Sequence, residues 1–275
     1  MCGTCGCDGA VPAAGSDGGS TPDPGPGLRE TVEVERDVLA RNDALAAANR
    51  EWLAERAIRA VNVMSAPGSG KTTLLAATVG ALAGEVPLAV VEGDQAGSLD
   101  ADRLREAGCR TVQVNTGSGC HLDADMFARA LQELDPPRGA VVFVENVGNL
   151  VCPALFDLGQ RERVVLASTT EGEDKPLKYP QMFRAADVVV LTKLDLVPYL
   201  DFDTDHFARH LRRVNPDATL LPVSALSGAG LGQWLDRLRP GPGSSVPGSG
   251  GSGPGVSEPG VSEPGVSEPG VSLSS

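Results

Sequence analysis

An α/β domain, with a mostly parallel sheet covered by helices on both faces, is the fold class the sequence predicts, and three observations carry it. Seven short apolar runs between residues 60 and 221 alternate with helix-length segments, as strands buried on both faces do. A glycine-rich turn ending in Lys71-Thr72 joins the first run to the first of those segments. Glycine and proline, 34 and 21 of the 275 residues, crowd the two ends, so one core is expected between about Gly27 and Pro240. The expected division is a flexible segment over residues 1–27, a domain over 28–240 and a disordered tail over 241–275.

The elements follow in order. Over Arg29–Arg59 the apolar residues Val38, Leu39, Leu45, Trp52 and Leu53 sit at helical spacing among charges, which predicts one or two amphipathic helices with Trp52 in the core. The runs Ala60–Met64, Leu88–Val91, Thr111–Val114, Ala140–Val144, Val164–Ala167, Val188–Leu191 and Thr219–Leu221 read as strands, and Lys71–Ala83 and Asp123–Leu134 as two of the intervening helices. From Glu258 to Ser272 the sequence Glu-Pro-Gly-Val-Ser repeats with one apolar residue per unit, too few to build a core, so this tail is expected to be disordered.

Composition removes several partners. A net charge of −13 without a Lys/Arg cluster argues against nucleic acid and anionic membrane, both of which require phosphate charge to be neutralised. No run approaches the length of a membrane helix and no basic-then-apolar leader is present, which predicts a cytoplasmic protein. Its six cysteines are then expected as thiols rather than as a disulfide frame.

Ser65-Ala66-Pro67-Gly68-Ser69-Gly70-Lys71-Thr72-Thr73 has the strand-to-helix context of a phosphate-binding loop. Gly68 and Gly70 let backbone N–H groups face a β-phosphate, Lys71 neutralises β and γ oxygens, and Thr72 offers a hydroxyl to Mg²⁺. The first glycine of the usual pattern is Ser65. Pro67, Gly68, Ser69, Gly70, Lys71, Thr72 and Thr73 are therefore the candidate phosphate contacts of a P-loop NTPase.

Thr192-Lys193-Leu194-Asp195, at the end of the sixth run, resembles the guanine-reading motif of GTPases with Thr for Asn. Asp195 can accept hydrogen bonds from guanine N1–H and the 2-amino group, a donor pair adenine lacks. Lys193 is expected along the base plane, and Ser224-Ala225 as the second base-contacting loop. Glu145-Asn146-Val147-Gly148-Asn149 resembles a D-x-x-G switch with Glu for Asp, so Glu145 is a candidate for the Mg²⁺ shell and Gly148 for the γ-phosphate approach. Asp94, in Glu92-Gly93-Asp94-Gln95, is either a second Mg²⁺ carboxylate or a helix N-cap. Asn149 stands where fast GTPases place glutamine, which predicts slow turnover of GTP to GDP and phosphate by in-line attack of water.

Cys2, Cys5 and Cys7 place three soft donors within six residues, chemistry that selects Zn²⁺, Cu⁺ or Ni²⁺ over Mg²⁺. Cys120, His121 and Cys152 are either core residues or, since loops at the C-terminal ends of neighbouring parallel strands converge, a shared site beside the switch. Cys109 is expected in the core. His206 and His210 have i, i+4 spacing, but with no third donor beyond Asp203 they make a poor metal site.

Taken together, Met1–Cys7, Ser65–Thr73, Glu92–Gln95, Asn115–Gly117 with Gly119–Ala124, Glu145–Pro153, Glu171–Pro180 and Thr192–Asp195 make the chain resemble the HypB family, the hydrogenase nickel-incorporation GTPases. The resemblance runs from about Arg29 to Arg239 and includes the N-terminal cysteines. It implies a GTP-dependent homodimer with tight nickel at Cys2, Cys5 and Cys7. It also implies a weaker nickel or zinc site at Cys120, His121 and Cys152, a HypA-type partner, and delivery to the large subunit precursor of nickel-iron hydrogenase. Many relatives carry a His-rich storage run, whereas this chain has three His in all, so insertion rather than storage is implied. Three rivals meet specific objections: the N-terminal cysteines disfavour a urease-type nickel GTPase, Asp195 an ATP-dependent kinase, and intact Lys71, Thr72 and Asp195 a metal buffer with a vestigial nucleotide site.

Overall fold

The computed structural model describes residues 26–94, 99–117 and 119–239, without the side chains of residues 26–35, 94 and 99. The expectations for Cys2, Cys5, Cys7, Gln95, the leading segment up to residue 25 and the repeat tail lie outside the described residues.

Helix α1 (Pro26–Glu55) leads into β1 (Arg59–Ser65), α2 (Lys71–Ala81), β2 (Leu88–Asp94), α3 (Leu99–Glu106), β3 (Arg110–Asn115), α4 (Ala124–Leu134) and β4 (Val141–Glu145). There follow α5 (Cys152–Leu155), β5 (Glu162–Ser168), α6 (Lys175–Lys178), α7 (Pro180–Arg184), β6 (Val188–Thr192), α8 (Thr204–Val214), β7 (Thr219–Pro222) and α9 (Leu231–Leu238). Two 3₁₀ turns, Thr169–Glu171 and Leu194–Tyr199, extend the ends of β5 and β6. The seven strands form one sheet in the order β3-β2-β4-β1-β5-β6-β7, and every pairing is parallel.

Alternation along each strand divides the core. Val61, Val63, Val90, Phe143, Leu166 and Val190 meet α2 and α9 on one face, where the Trp234 indole N–H donates to Thr78 Oγ1 at 2.8 Å. The opposite face divides in two: Ala60, Val91 and Val142 pack under α1 and α4, while Met64, Val165 and Val189 pack under α7 and α8. Each fully buried Leu or Phe here stabilises the fold by about 1.5–3 kcal/mol. Asn62 is wholly buried in β1 on that second face, a polar residue in an otherwise apolar strand.

The N-terminal segment differs from the sequence reading in which residues it buries. It is a single helix whose buried stripe is Asn42, Ala46, Asn49 and Leu53, spaced as one face of a helix, while Val38 is exposed. The stripe is half polar because the two asparagines work as latches. Asn42 donates to the Asp157 carbonyl (2.8 Å) and accepts from the Ala124 N–H (2.9 Å), and Asn49 donates to the Ala124 and Leu158 carbonyls. Trp52, expected in the core, is half-buried against it, with the Arg56 guanidinium 4.0 Å above its ring as a cation–π cover. The strands arrive as predicted, with ends extended by up to three residues except that β4 begins one residue later, and α2 ends at Ala81 rather than Ala83.

Candidate functional site

The chain reverses its direction of winding at β1, which lies between β4 and β5, and the crevice at the carboxyl ends of these strands is where open α/β sheets place ligands. A cleft of about 510 Å³ opens there, lined by Gly68, Lys71, Thr72, Glu92, Glu145 and Gly148 among others. Gly68 and Gly70 take φ of +74° and +93°, and Lys71 begins α2, so the loop's N–H groups and the helix dipole face the cleft. Ser65, which replaces the usual first glycine, accepts a hydrogen bond from Lys71 Nζ at 3.0 Å.

Thr72 Oγ1 donates to Glu145 Oε1 at 2.7 Å, both residues being buried. A hydroxyl and a carboxylate at the foot of a phosphate loop are hard oxygen donors of the kind Mg²⁺ takes alongside waters and phosphate oxygens, so the residues present fit that ion. From the motif Glu92–Gln95, Glu92 and Gly93 line the cleft, Glu92 being buried and in register with Glu145 across β2 and β4. Asp94 ends β2 rather than capping a helix, and its side chain lies outside the described residues.

At the base end, Thr192 Oγ1 donates to the Ser69 carbonyl at 2.7 Å, joining β6 to the phosphate loop. Lys193, expected along the base plane, has a left-handed backbone (φ 58°) and its ammonium donates to the Gly68 carbonyl at 2.8 Å. Ser224 Oγ donates to Asp195 Oδ1 at 2.5 Å, so the two segments predicted to read the base meet each other, with Ala225 next in the chain. Of these two segments Lys193 lines the cleft together with the phosphate loop and residues 145–148.

The switch segment leaves β4 directly beneath the phosphate loop. A Cβ at Gly148 would stand 3.0 Å from Pro67, which is why this close approach needs glycine. Asn149 is not among the residues lining the cleft; its Oδ1 accepts from the Val151 N–H at 2.7 Å in a local turn. Asn146, almost fully buried, points inward and bonds to Asn62, Leu122 and Val147.

Cys120, His121 and Cys152 come together, their ligand atoms all within 4.8 Å of one another and the Cys120 sulfur 3.6 Å from His121 Nδ1. Cys152 is the first residue of α5 rather than part of a loop. The turn presenting the other two is tight: Thr116 Oγ1 donates to the Gly119 carbonyl, whose own N–H donates to Thr116 O, and Asn115 Oδ1 takes the Gly117 N–H. The His121 ring stacks on Phe156, with centroids 3.8 Å apart. Burial holds the His121 pKa below its ordinary value, against the opposing pull of Asp123, and favours the neutral imidazole that metals bind. Two thiols and an imidazole suit a borderline-soft ion such as Zn²⁺ or Ni²⁺.

The remaining candidates fall elsewhere. Burial pushes the Cys109 thiol up to about 11, consistent with its expected core position. His206 Nδ1 lies 3.0 Å from Glu173 Oε1 and His210 Nδ1 2.9 Å from the Glu173 carbonyl, so both contact Glu173. Sequence reasoning assigned no role to Glu171, whose Oε1 accepts from Ser69 Oγ and whose Oε2 pairs with Lys175 Nζ, each at 2.5 Å. The i, i+4 spacing of Glu171 and Lys175 was visible; their burial beneath the phosphate loop was not. Phe156 and Asn146 were missed as well, because each depends on a tertiary contact.

Among the described residues no helix is long and apolar enough to cross a membrane. Residues 59–222 match the family model described as the CobW/HypB/UreG nucleotide-binding domain. The chain is 53% identical over 212 residues to the hydrogenase maturation factor HypB of Azotobacter chroococcum mcd 1, covering 76% of this chain and 70% of that protein. Among solved structures it is similar to HypB from Archaeoglobus fulgidus (TM-score 0.68, 38% identity, 72% of this chain and 97% of that one). HypB from Helicobacter pylori in complex with nickel matches equally well (TM-score 0.68, 37% identity, 72% and 93%).

Proposed function

The chain belongs to the HypB family of hydrogenase maturation factors, and from that premise we propose that it is a GTP-hydrolysing nickel metallochaperone whose nucleotide cleft governs the Cys120–His121–Cys152 site. The observation that carries the reading is the placement of these three donors beside the switch, with Cys152 four residues beyond Gly148. Nickel is the cargo here. The two thiolates and the neutral imidazole bind it, and movement of the segment carrying Cys152 changes the donor set.

In the cleft, the N–H groups of Gly68, Ser69, Gly70 and Thr73 with Lys71 hold the phosphates, and Asp195, oriented by Ser224, selects guanine. Pro67, Thr192, Lys193 and Ala225 shape the loops that do so. Mg²⁺ supplies neutralisation of β and γ oxygens when bound, with Thr72, Glu145 and Asp94 as its proposed holders. Water attacks the γ-phosphorus in line, and the bond from the γ-phosphorus to the bridging oxygen breaks, yielding GDP and inorganic phosphate. Catalysis rests on position and charge, and turnover is slow because the Asn149 amide is engaged with its own turn. The exposed Val151 and Leu155 flank Cys152 on α5 and support a homodimer contact there.

We further propose a cytoplasmic location, a tight nickel site at Cys2, Cys5 and Cys7, a HypA-type partner, and the hydrogenase large subunit precursor as recipient. Zinc is the competing occupant at Cys120, His121 and Cys152. The test is native mass spectrometry of the full chain with nickel, with GDP and with a non-hydrolysable GTP analogue, alongside phosphate release from GTP and ATP. One nickel per chain beyond the N-terminal site, and hydrolysis of GTP alone, are expected. Equal hydrolysis of ATP, or loss of metal stoichiometry only when Cys2, Cys5 and Cys7 are replaced, would overturn the assignment.

A further inference from the structure

We propose that Asn146 is the positioning residue through which the nucleotide switch and the Cys120–His121–Cys152 cluster communicate, its single side-chain oxygen holding the backbone of both. The proposal rests on the reading that the cleft binds GTP and the cluster nickel. It concerns a residue at the wall of the cleft whose side-chain hydrogen bonds go to other residues of the protein.

Asn146 lies between Glu145, which accepts from Thr72, and Val147-Gly148, which passes under Pro67. Its Oδ1 accepts two hydrogen bonds: from the Val147 N–H at 3.0 Å, on the switch, and from the Leu122 N–H at 3.2 Å, the residue after His121. Its Nδ2 donates to Asn62 Oδ1 at 3.2 Å, in the wholly buried middle of the sheet. A carbonyl oxygen has two lone pairs, and here both are spent on N–H groups of different loops. Because Leu122 and Asn146 are buried, separating one loop from the other leaves an N–H without a partner and without water, the costly half of any hydrogen-bond exchange. The loops therefore shift together or the amide changes partners.

A second contact ties the same turn to the other side of the cleft. The Leu122 side chain, fully buried, covers Gly93 so closely that a Cβ there would stand 2.7 Å away. The backbone just after the metal ligands is thus gripped by a segment from each of β2 and β4, both ending at the cleft. Contact of the γ-phosphate with Gly148 displaces Val147, Asn146 Oδ1 carries the displacement to Leu122, and His121 and Cys120 move relative to Cys152.

The experiment uses the full chain with Cys2, Cys5 and Cys7 replaced by Ser, titrated with Ni²⁺ in its GDP and non-hydrolysable GTP analogue complexes. Affinity and the near-ultraviolet thiolate-to-nickel absorption are recorded. In the protein with Asn146 intact the two complexes are expected to differ in nickel affinity by about 5- to 150-fold, the usual span of such coupling, and in absorption. Asn146→Ala brings the ratio to about one and makes the two spectra coincide, while each ligand still binds. Asn146→Ser, too short to reach Leu122, gives the same result should the alanine variant not fold.

Asn146→Asp keeps the accepting oxygen, and Asn62, whose Nδ2 has no hydrogen-bond partner, can turn its amide to donate, so coupling returns. A ratio unchanged in both the alanine and serine variants overturns the role of Asn146 and leaves the proposed function standing. Equal affinities and spectra with Asn146 intact overturn this proposal together with nucleotide control of the site, while GTP hydrolysis and nickel binding, measured separately, still test the rest of the proposed function.

Discussion

The Thr72 hydroxyl and the Glu145 carboxylate, 73 residues apart in the chain, share a buried hydrogen bond of 2.7 Å at the floor of the cleft. Parallel pairing of β1 with β4 sets Val63 opposite Glu145, so the helix that follows β1 begins beside the carboxylate that ends β4. Glu145→Gln preserves the hydrogen bond but removes the charge. Magnesium-dependent GTP hydrolysis is expected to fall by about 10²-fold or more, as when one preorganised electrostatic group is lost. GDP affinity without magnesium should stay nearly constant. Phosphate release and nucleotide titration with and without the ion check both halves; undiminished magnesium stimulation would remove Glu145 from the site.

Asp195 is held from the side by Ser224 rather than standing alone. Asp195→Asn replaces an acceptor by a donor, so the pocket should prefer xanthine, which carries a carbonyl where guanine carries its amino group. A change on the order of 10²-fold or more in the ratio of kcat/KM for XTP and GTP is expected, since a buried polar mismatch is strongly rejected. Ser224→Ala should weaken GTP without creating a preference for XTP. An Asn variant that still favours GTP would show that the base is read elsewhere.

Glu171 accepts from both Ser69 and Lys175, and the Glu171–Lys175 pair is largely buried, with side-chain exposures of 15% and 7%. Lys175→Met strands a carboxylate in a poorly hydrated place and should cost about 3–5 kcal/mol in urea denaturation. Combining it with Glu171→Gln should recover much of that loss, because the charge left behind is removed. The double variant should bind GDP more weakly than the unsubstituted protein, since Ser69 then loses its charged anchor. Equal stability of the single and double variants would deny the pair its charge-balancing role.

Much of this arrangement is legible in the amino-acid sequence. The seven apolar runs became seven parallel strands because strands buried on both faces leave little freedom of register or facing. The segments read as phosphate loop, base motif and switch each fall at a strand end, as their local spacing predicts. What stayed hidden has one physical cause: polar residues doing long-range work look like surface in one dimension. Asn42 and Asn49 sit where an apolar stripe was expected, and Asn62 interrupts a strand, because each spends its amide on backbone or side-chain groups distant in sequence. The Cys120–His121–Cys152 cluster was half legible, since strand-end convergence brings the loops near but does not say which way three side chains point.

Cys109 offers a test of pH dependence separate from the metal ligands. Burial, partly offset by a hydrogen bond with Thr111, raises its thiol from 9.0 to about 11. The folded state therefore keeps a proton that the unfolded chain releases. Its contribution is fully present below pH 9 and is lost as pH rises through about 11. Compared with Cys109→Ala, the unsubstituted protein should lose about 1–2 kcal/mol more stability across that window. Urea midpoints at a series of pH values check it, and parallel pH profiles for the two proteins would mean that the thiol does not titrate differently on unfolding.

The stack of His121 on Phe156 leads to the last expectation. An imidazole that ligates a metal must hold one ring orientation, and partners behind the ring commonly change metal affinity by about 10- to 100-fold when removed. Phe156 contributes that constraint through ring contact at 3.8 Å and 27°, and it helps exclude water from a site whose histidine is kept neutral by burial. Phe156→Ala should therefore lower nickel affinity at the cluster into that range and broaden the ligand-field spectrum of a cobalt-substituted sample, as the ring samples more orientations. Phe156→Leu fills part of the space but presents no flat face, so it should recover stability more than affinity. GTP hydrolysis with magnesium but without nickel should be nearly unchanged, because Phe156 does not line the cleft. Chelator competition, cobalt absorption and phosphate release measure the three effects independently. Nickel affinity equal to that of the unsubstituted protein in both variants would show that the turn around Thr116 and Gly119 fixes the imidazole by itself.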